Sequence, residues 1–102
     1  MDAQQQIKEQ VTGHSVVLYM KGTPAAPQCG FSASAVQMLE ACGADEVATV
    51  DVLADPDIRQ GIKQFSNWPT IPQLYVGGEF IGGADIMREM YQSGELKKIL
   101  AK

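Results

Sequence analysis

The chain has 102 residues, 45% hydrophobic and 20% charged, a length and balance that suit one globular domain expected to span 1–102. Eight basic residues face twelve acidic ones, and the net charge of −4 argues against a nucleic-acid or anionic-membrane partner. No apolar run approaches the ~20 residues of a membrane span, and two cysteines do not make a disulfide scaffold. The polar start, Met1-Asp2-Ala3-Gln4-Gln5-Gln6, reads as neither a signal peptide nor an Arg-rich transit peptide. A cytoplasmic location is therefore expected if Met1 is the native start.

Residues 2–12 read as a short, mostly polar helix with Ile7 and Val11 one turn apart on a thin apolar stripe. Ser15 to Met20 is nearly continuous apolar sequence rich in β-branched residues, the pattern of a strand buried on both faces. The following stretch, 21–28, holds Pro24 and Pro27 and cannot be helical. A helix is predicted over about 30–42, with Ala35, Val36, Leu39 and Cys42 on its inner side and Gly43 placed to end it. Glu46 to Val52 reads as a second strand. Asp55 caps a third helix, with Pro56 in its first turn, running to about Ser66. Gln73–Val76 and Glu79–Ile81 are strands joined by Gly77-Gly78, a tight-hairpin signal. Asp85–Tyr91 and Glu95–Leu100 close the chain as helical segments. The order α-β-α-β-α-β-β-α-α predicts an α/β fold: parallel pairing through right-handed crossovers, a final antiparallel hairpin, and a four-stranded mixed sheet flanked by helices.

Chemistry concentrates at Cys29, at the start of a helix in Cys29-Gly30-Phe31-Ser32. Free N–H groups and the helix dipole favour a thiolate there, and Lys21 at the head of the preceding loop adds positive charge. The pattern is that of a C-x-x-C redox motif with Ser32 in the second position, so no internal thiol can resolve a mixed disulfide. Cys42 lies thirteen residues on, ~20 Å away at helical rise, beyond disulfide reach; it reads as a small buried core residue. Pro72, in Trp68-Pro69-Thr70-Ile71-Pro72, is a candidate cis proline that would turn the Ile71 backbone outward to pair with an extended peptide; an ordinary turn proline is the alternative. Gly82-Gly83-Ala84-Asp85 enters a helix whose N–H groups suit a carboxylate, while Asp85 could meet an ammonium or simply cap. Arg59 and Lys63, one turn apart, form a basic patch on an acidic protein, fit for a small acidic ligand or merely solvated. His14, the sole histidine, has no ligand partner by spacing, and Met38, Met87 and Met90 read as core filler.

Three motifs, Lys21-Gly22-x-Pro24-x-x-Pro27-x-Cys29-Gly30-Phe31-Ser32, Trp68-Pro69-Thr70-Ile71-Pro72-Gln73 and Gly82-Gly83-x-Asp85, span most of the chain. On these it resembles the monothiol glutaredoxins of the thioredoxin-fold superfamily. The resemblance implies a thioredoxin-like fold. It also implies glutathione, whose carboxylates, ammonium, peptide backbone and thiol match the groups above, held by Lys21, Arg59, Ile71, Ala84 and Asp85. Ala84 stands where many relatives have Cys, which removes a second thiol but keeps a backbone N–H.

Two functions follow from the resemblance. The first is carriage of a [2Fe–2S] cluster in iron–sulfur biogenesis or iron homeostasis. Such a cluster takes four thiolates; Cys29 from each of two chains and two glutathione thiols make the set, implying a cluster-bridged homodimer, with apo iron–sulfur acceptor proteins and BolA-like proteins as partners. The second is a glutathione-dependent oxidoreductase that deglutathionylates protein thiols through Cys29 alone. The loop 22–28 resembles the insertion of relatives that are poor in this activity, so at most a weak enzyme is expected.

Overall fold

Continuous burial is the first thing the strand over Val16–Met20 (β1) imposes: all five of its residues are buried, so apolar layers must cover both faces of the sheet. The computed structural model describes residues 2–101; Met1 and Lys102, the ends of the expected 1–102 unit, lie outside the described residues. The helix Ala3–Gly13 (α1) begins at Asp2, whose carboxylate accepts the Gln5 N–H at 2.8 Å, and His14 follows it, exposed. After β1 come Gly30–Ala41 (α2), Val47–Asp51 (β2), Pro56–Ser66 (α3), Gln73–Val76 (β3), Glu79–Gly82 (β4), Ala84–Ser93 (α4) and Glu95–Leu100 (α5). The sheet order is β2-β1-β3-β4, parallel between β1 and β2 and antiparallel elsewhere. This is the predicted four-stranded mixed sheet.

Alternation along β1 divides the interior. Val16, Leu18 and Met20 point to one side with Leu74, Met87, Leu96 and the inner face of α2. Val17 and Tyr19 point to the other with Ile7, Val11, Ile58, Ile62 and Tyr75, beneath α1 and α3. Those two helices cross closely because α3 has Gly61 at the contact: a Cβ there would lie 3.0 Å from Ala3 Cβ, and Gln4 donates its side-chain amide to Gly61 O at 2.8 Å. The Gly77-Gly78 turn has positive φ at both residues (60° and 83°), as a two-residue hairpin loop requires.

Two sequence readings need correction. Cys42 is not a buried core residue inside the helix: it is the half-buried C-cap of α2, at the margin of the first cluster, because the helix closes one residue early. Met90 likewise packs half-buried at that margin, whereas Met38 and Met87 are buried. No helix among the described residues is long and apolar enough to cross a membrane.

Leu18 is fully buried at the centre of β1. Leu18→Ala is expected to cost about 2–5 kcal/mol, measured as a lower midpoint in urea denaturation with an unchanged slope.

Candidate functional site

Residues 21–28, between β1 and α2, fold back on themselves. Gln28 N–H donates to Lys21 O at 2.9 Å, Ala26 N–H to Thr23 O at 3.0 Å, and Gly22 bridges Pro27. Gly22 has φ +89°, and a Cβ would sit 2.6 Å from Ala26 O and 2.8 Å from Gln28 N, both backbone atoms, so only glycine fits. Asp51, at the end of β2, fastens the loop to the sheet: one carboxylate oxygen accepts the N–H groups of Gly22 and Leu53, each at 2.9 Å.

The folded loop delivers Cys29 to the N-cap of α2 in an extended conformation (φ −154°, ψ 136°). Its thiol pKa is lowered, chiefly by the Ser32 N–H against the opposing effect of burial, then by the Phe31 N–H, the Ser32 hydroxyl and the Lys21 charge. Ser32 is fully buried, and its hydroxyl accepts the Lys21 backbone N–H at 3.0 Å. That leaves the hydroxyl proton for the sulfur. One side chain thus ties the lysine loop to the helix and favours the thiolate.

The opposite wall begins where α3 ends. Asn67 adopts the left-handed conformation (φ 55°) as C-cap, and the chain turns through Trp68, Pro69 and Thr70 to a cis Ile71–Pro72 bond, as expected from the sequence. Gly83 caps α4 without a side chain, leaving the first N–H groups of that helix uncapped. A Cβ on Gly83 would come within 3.3 Å of Trp68 Nε1 and 3.4 Å of Pro72 O, so a larger residue would push the helix start away from this wall.

Between the walls lies a cleft of about 350 Å³. It brings together Lys21, Cys29, Ile71, Ala84 and Asp85, five of the six residues singled out from the sequence. Arg59, exposed on α3, is not among its lining residues; Lys63, one turn later, is. The rim carries Phe31, Trp68 and Ile86, which are 59, 42 and 37% exposed, so an apolar collar surrounds the thiol. Sequence reasoning did not identify this collar, because isolated apolar residues in three separate segments show no periodicity. Cys42, at the far end of α2, is outside the cleft.

The thiolate of Cys29 forms at lower pH than that of an ordinary thiol, so its alkylation rate should level off at lower pH too. Ser32→Ala removes a stabilising donor and should raise that midpoint above the wild-type one, read from the pH dependence of the alkylation rate. Mass-spectrometric mapping should find Cys29 labelled well before Cys42.

The comparisons with known proteins agree with this geometry. The protein-family model described as Glutaredoxin matches residues 16–81. The chain is 68% identical over 84 residues to "Probable monothiol glutaredoxin GrlA" of Legionella pneumophila, covering 82% of this chain and 93% of that one. It is 52% identical over 96 residues to "Glutaredoxin 4" of Escherichia coli K12, covering 94% and 83%. Among solved structures, a monomeric truncated mutant of Trypanosoma brucei 1-C-Grx1 superimposes with a TM-score of 0.87 at 44% identity, covering 99% of this chain and 90% of that one. Reduced poplar apo GrxS14 gives 0.80 at 46% identity, covering 96% and 93%. With a thioredoxin-like sheet, one thiol at the head of α2 and serine three residues after it, the chain belongs to the glutaredoxin family, among its monothiol members.

Proposed function

We propose that the cleft binds glutathione and that two copies of the protein carry a [2Fe–2S] cluster between them, each giving Cys29 and one bound glutathione thiol. The observation that carries this reading is a single activated thiol in the cleft with no second cysteine within reach. Four thiolates are needed. Among the described residues no three His, Cys, Asp or Glu side chains gather as a metal-binding group, so one chain cannot complete the set. The glutathione peptide would pair with the Ile71 backbone, with one carboxylate at the uncapped N–H groups of Ala84 and Asp85 and the ammonium beside the Asp85 carboxylate. Lys21, beside the thiol, and Lys63, in the last turn of α3, supply positive charge to the cleft, and Arg59 adds to the field from one turn further out. The apolar collar of Phe31, Trp68 and Ile86 suits a face that meets a second copy and keeps water from the thiolates. Release to an apo iron–sulfur acceptor follows when that protein offers a better ligand set, and a BolA-like protein would take the place of one subunit.

A second reading rests on the lowered pKa of Cys29: removal of glutathione from protein thiols. The thiolate attacks the glutathione sulfur of the mixed disulfide, and the protein thiolate leaves. A free glutathione thiolate then attacks the same sulfur, giving glutathione disulfide and restoring Cys29. The loop 22–28, which resembles the insertion of relatives poor in this activity, argues for ranking it second to carriage.

Anaerobic reconstitution with iron, sulfide and glutathione, followed by sizing and visible absorbance, tests the first reading. A coloured dimer is expected with glutathione, and colourless monomer without it. Cys29→Ser should abolish the cluster and Cys42→Ser retain it. A stable cluster in glutathione-free buffer, or on the Cys29→Ser variant, would overturn the ligand set. Lys63→Ala should weaken glutathione binding by roughly threefold and Arg59→Ala by less, as expected for solvent-accessible charges; isothermal titration would rank them.

A further inference from the structure

The sheet holds one polar side chain that the chemistry above does not use. Gln73, the first residue of β3, is fully buried, beside Leu74 and Tyr75 in the same condition. An amide placed there costs free energy unless bonded, and it is bonded in one direction. Its Nε2 donates to Trp68 O at 3.2 Å and to Thr70 O at 3.1 Å, while its Oε1 accepts from the Tyr75 hydroxyl at 3.1 Å. The opposite orientation would set the amide oxygen against two carbonyls, so the arrangement is unique. Burial pushes the Tyr75 phenol up to about 12, which keeps it a donor at physiological pH.

Both carbonyls that Gln73 holds belong to residues lining the Cys29 cleft. The segment between them contains Pro69, which has no N–H, and Trp68 and Thr70 are exposed. The Gln73 amide is the donor that meets both of these part-buried carbonyls. What it does is fix two points of the wall relative to the sheet. Below it, Tyr75 packs against Phe80 with centroids 5.4 Å apart, and Phe80 against the Trp68 ring at 6.2 Å. The backbone of the Trp68 loop and its indole are thus held from the same point in β3.

We propose that Gln73 is a positioning residue for the ligand of the cleft: through the carbonyls of Trp68 and Thr70 it sets the wall against which a glutathione-type peptide lies. The role rests on the glutathione reading above and assigns Gln73 no contact with the ligand. It predicts that removing the amide weakens ligand binding in a domain that remains folded.

Trp68 is the only tryptophan in the chain, so its emission reports the wall directly. S-methylglutathione, which cannot form a disulfide, is titrated into the wild-type protein and Gln73→Met while emission and calorimetric heat are followed; circular dichroism and thermal unfolding are recorded alongside. The expected result is about tenfold weaker binding by Gln73→Met, of the size that loss of a supporting hydrogen-bond shell produces, with a more quenchable Trp68 in the free protein and native circular dichroism. Should Gln73→Met not fold, Gln73→Glu carries the same comparison: it keeps the length and the acceptor for Tyr75 but cannot supply both donors. A lower melting temperature with affinity and Trp68 quenching unchanged would show that Gln73 is structural only and overturn the proposal. No saturable binding by the wild-type protein would instead overturn the glutathione reading, and this role with it.

Discussion

The hydrogen bond from the Lys21 N–H to the Ser32 hydroxyl joins the two segments on which the site depends. On one side is a loop that leaves the central strand and must return eight residues later; on the other is a helix whose first N–H groups are free. If the bond were absent, the loop would still be closed by its own carbonyls and by Asp51, but it would lose its side-chain tie to the first turn of α2. With it, the lysine, the thiol and the helix start form one unit. A serine in this position is therefore more than a cysteine without its sulfur. A thiol is a weak donor and a weak acceptor, and would hold the Lys21 amide less well than the hydroxyl does.

The remainder of the site is arranged around that unit by the division of the interior. β1 sends alternate side chains into two separate apolar layers. The layer beneath α2 and α4 carries Cys29 and the Gly83–Asp85 turn; the layer beneath α1 and α3 carries Lys63 and leads into the Trp68 loop. Glycines at 22 and 83 let backbone approach backbone or ring where a side chain would intrude. The cleft is thus the place where the ends of elements from both layers meet beyond one end of the sheet.

Much of this is legible in the sequence, for identifiable reasons. The continuous apolar run of β1, the Asp55-Pro56 start of α3 and the Gly77-Gly78 turn are local signals with local causes, and each forms where it is expected. The lowered thiol pKa of Cys29 is legible because its chief causes lie in its own helix start. Three things are less so. The choice between Arg59 and Lys63 depends on how far along α3 the cleft reaches, because residues four apart share one helix face and sequence spacing does not say where that face meets the cleft. The position of Cys42 depends on where α2 closes, and one residue moves it from the core to the cap. The use of Gln73 depends on carbonyls three and five residues away across a turn; from the sequence it is only a polar residue at the head of an apolar strand.

The two-layer interior also makes the width of the cleft a mechanical quantity. Its walls are borne by different layers on either side of the sheet, and they meet directly where Gly83 lies against Trp68 and Pro72. A substitution that thickens or thins one layer is expected to shift the wall which that layer bears, although no lining residue has changed. Volume changes at Ile62 or Met38, both buried on opposite sides of the sheet, therefore act as adjusting screws on the spacing between the thiol and the Trp68 wall. Selection for a given ligand can reach that spacing from deep in the molecule, leaving the reactive surface untouched.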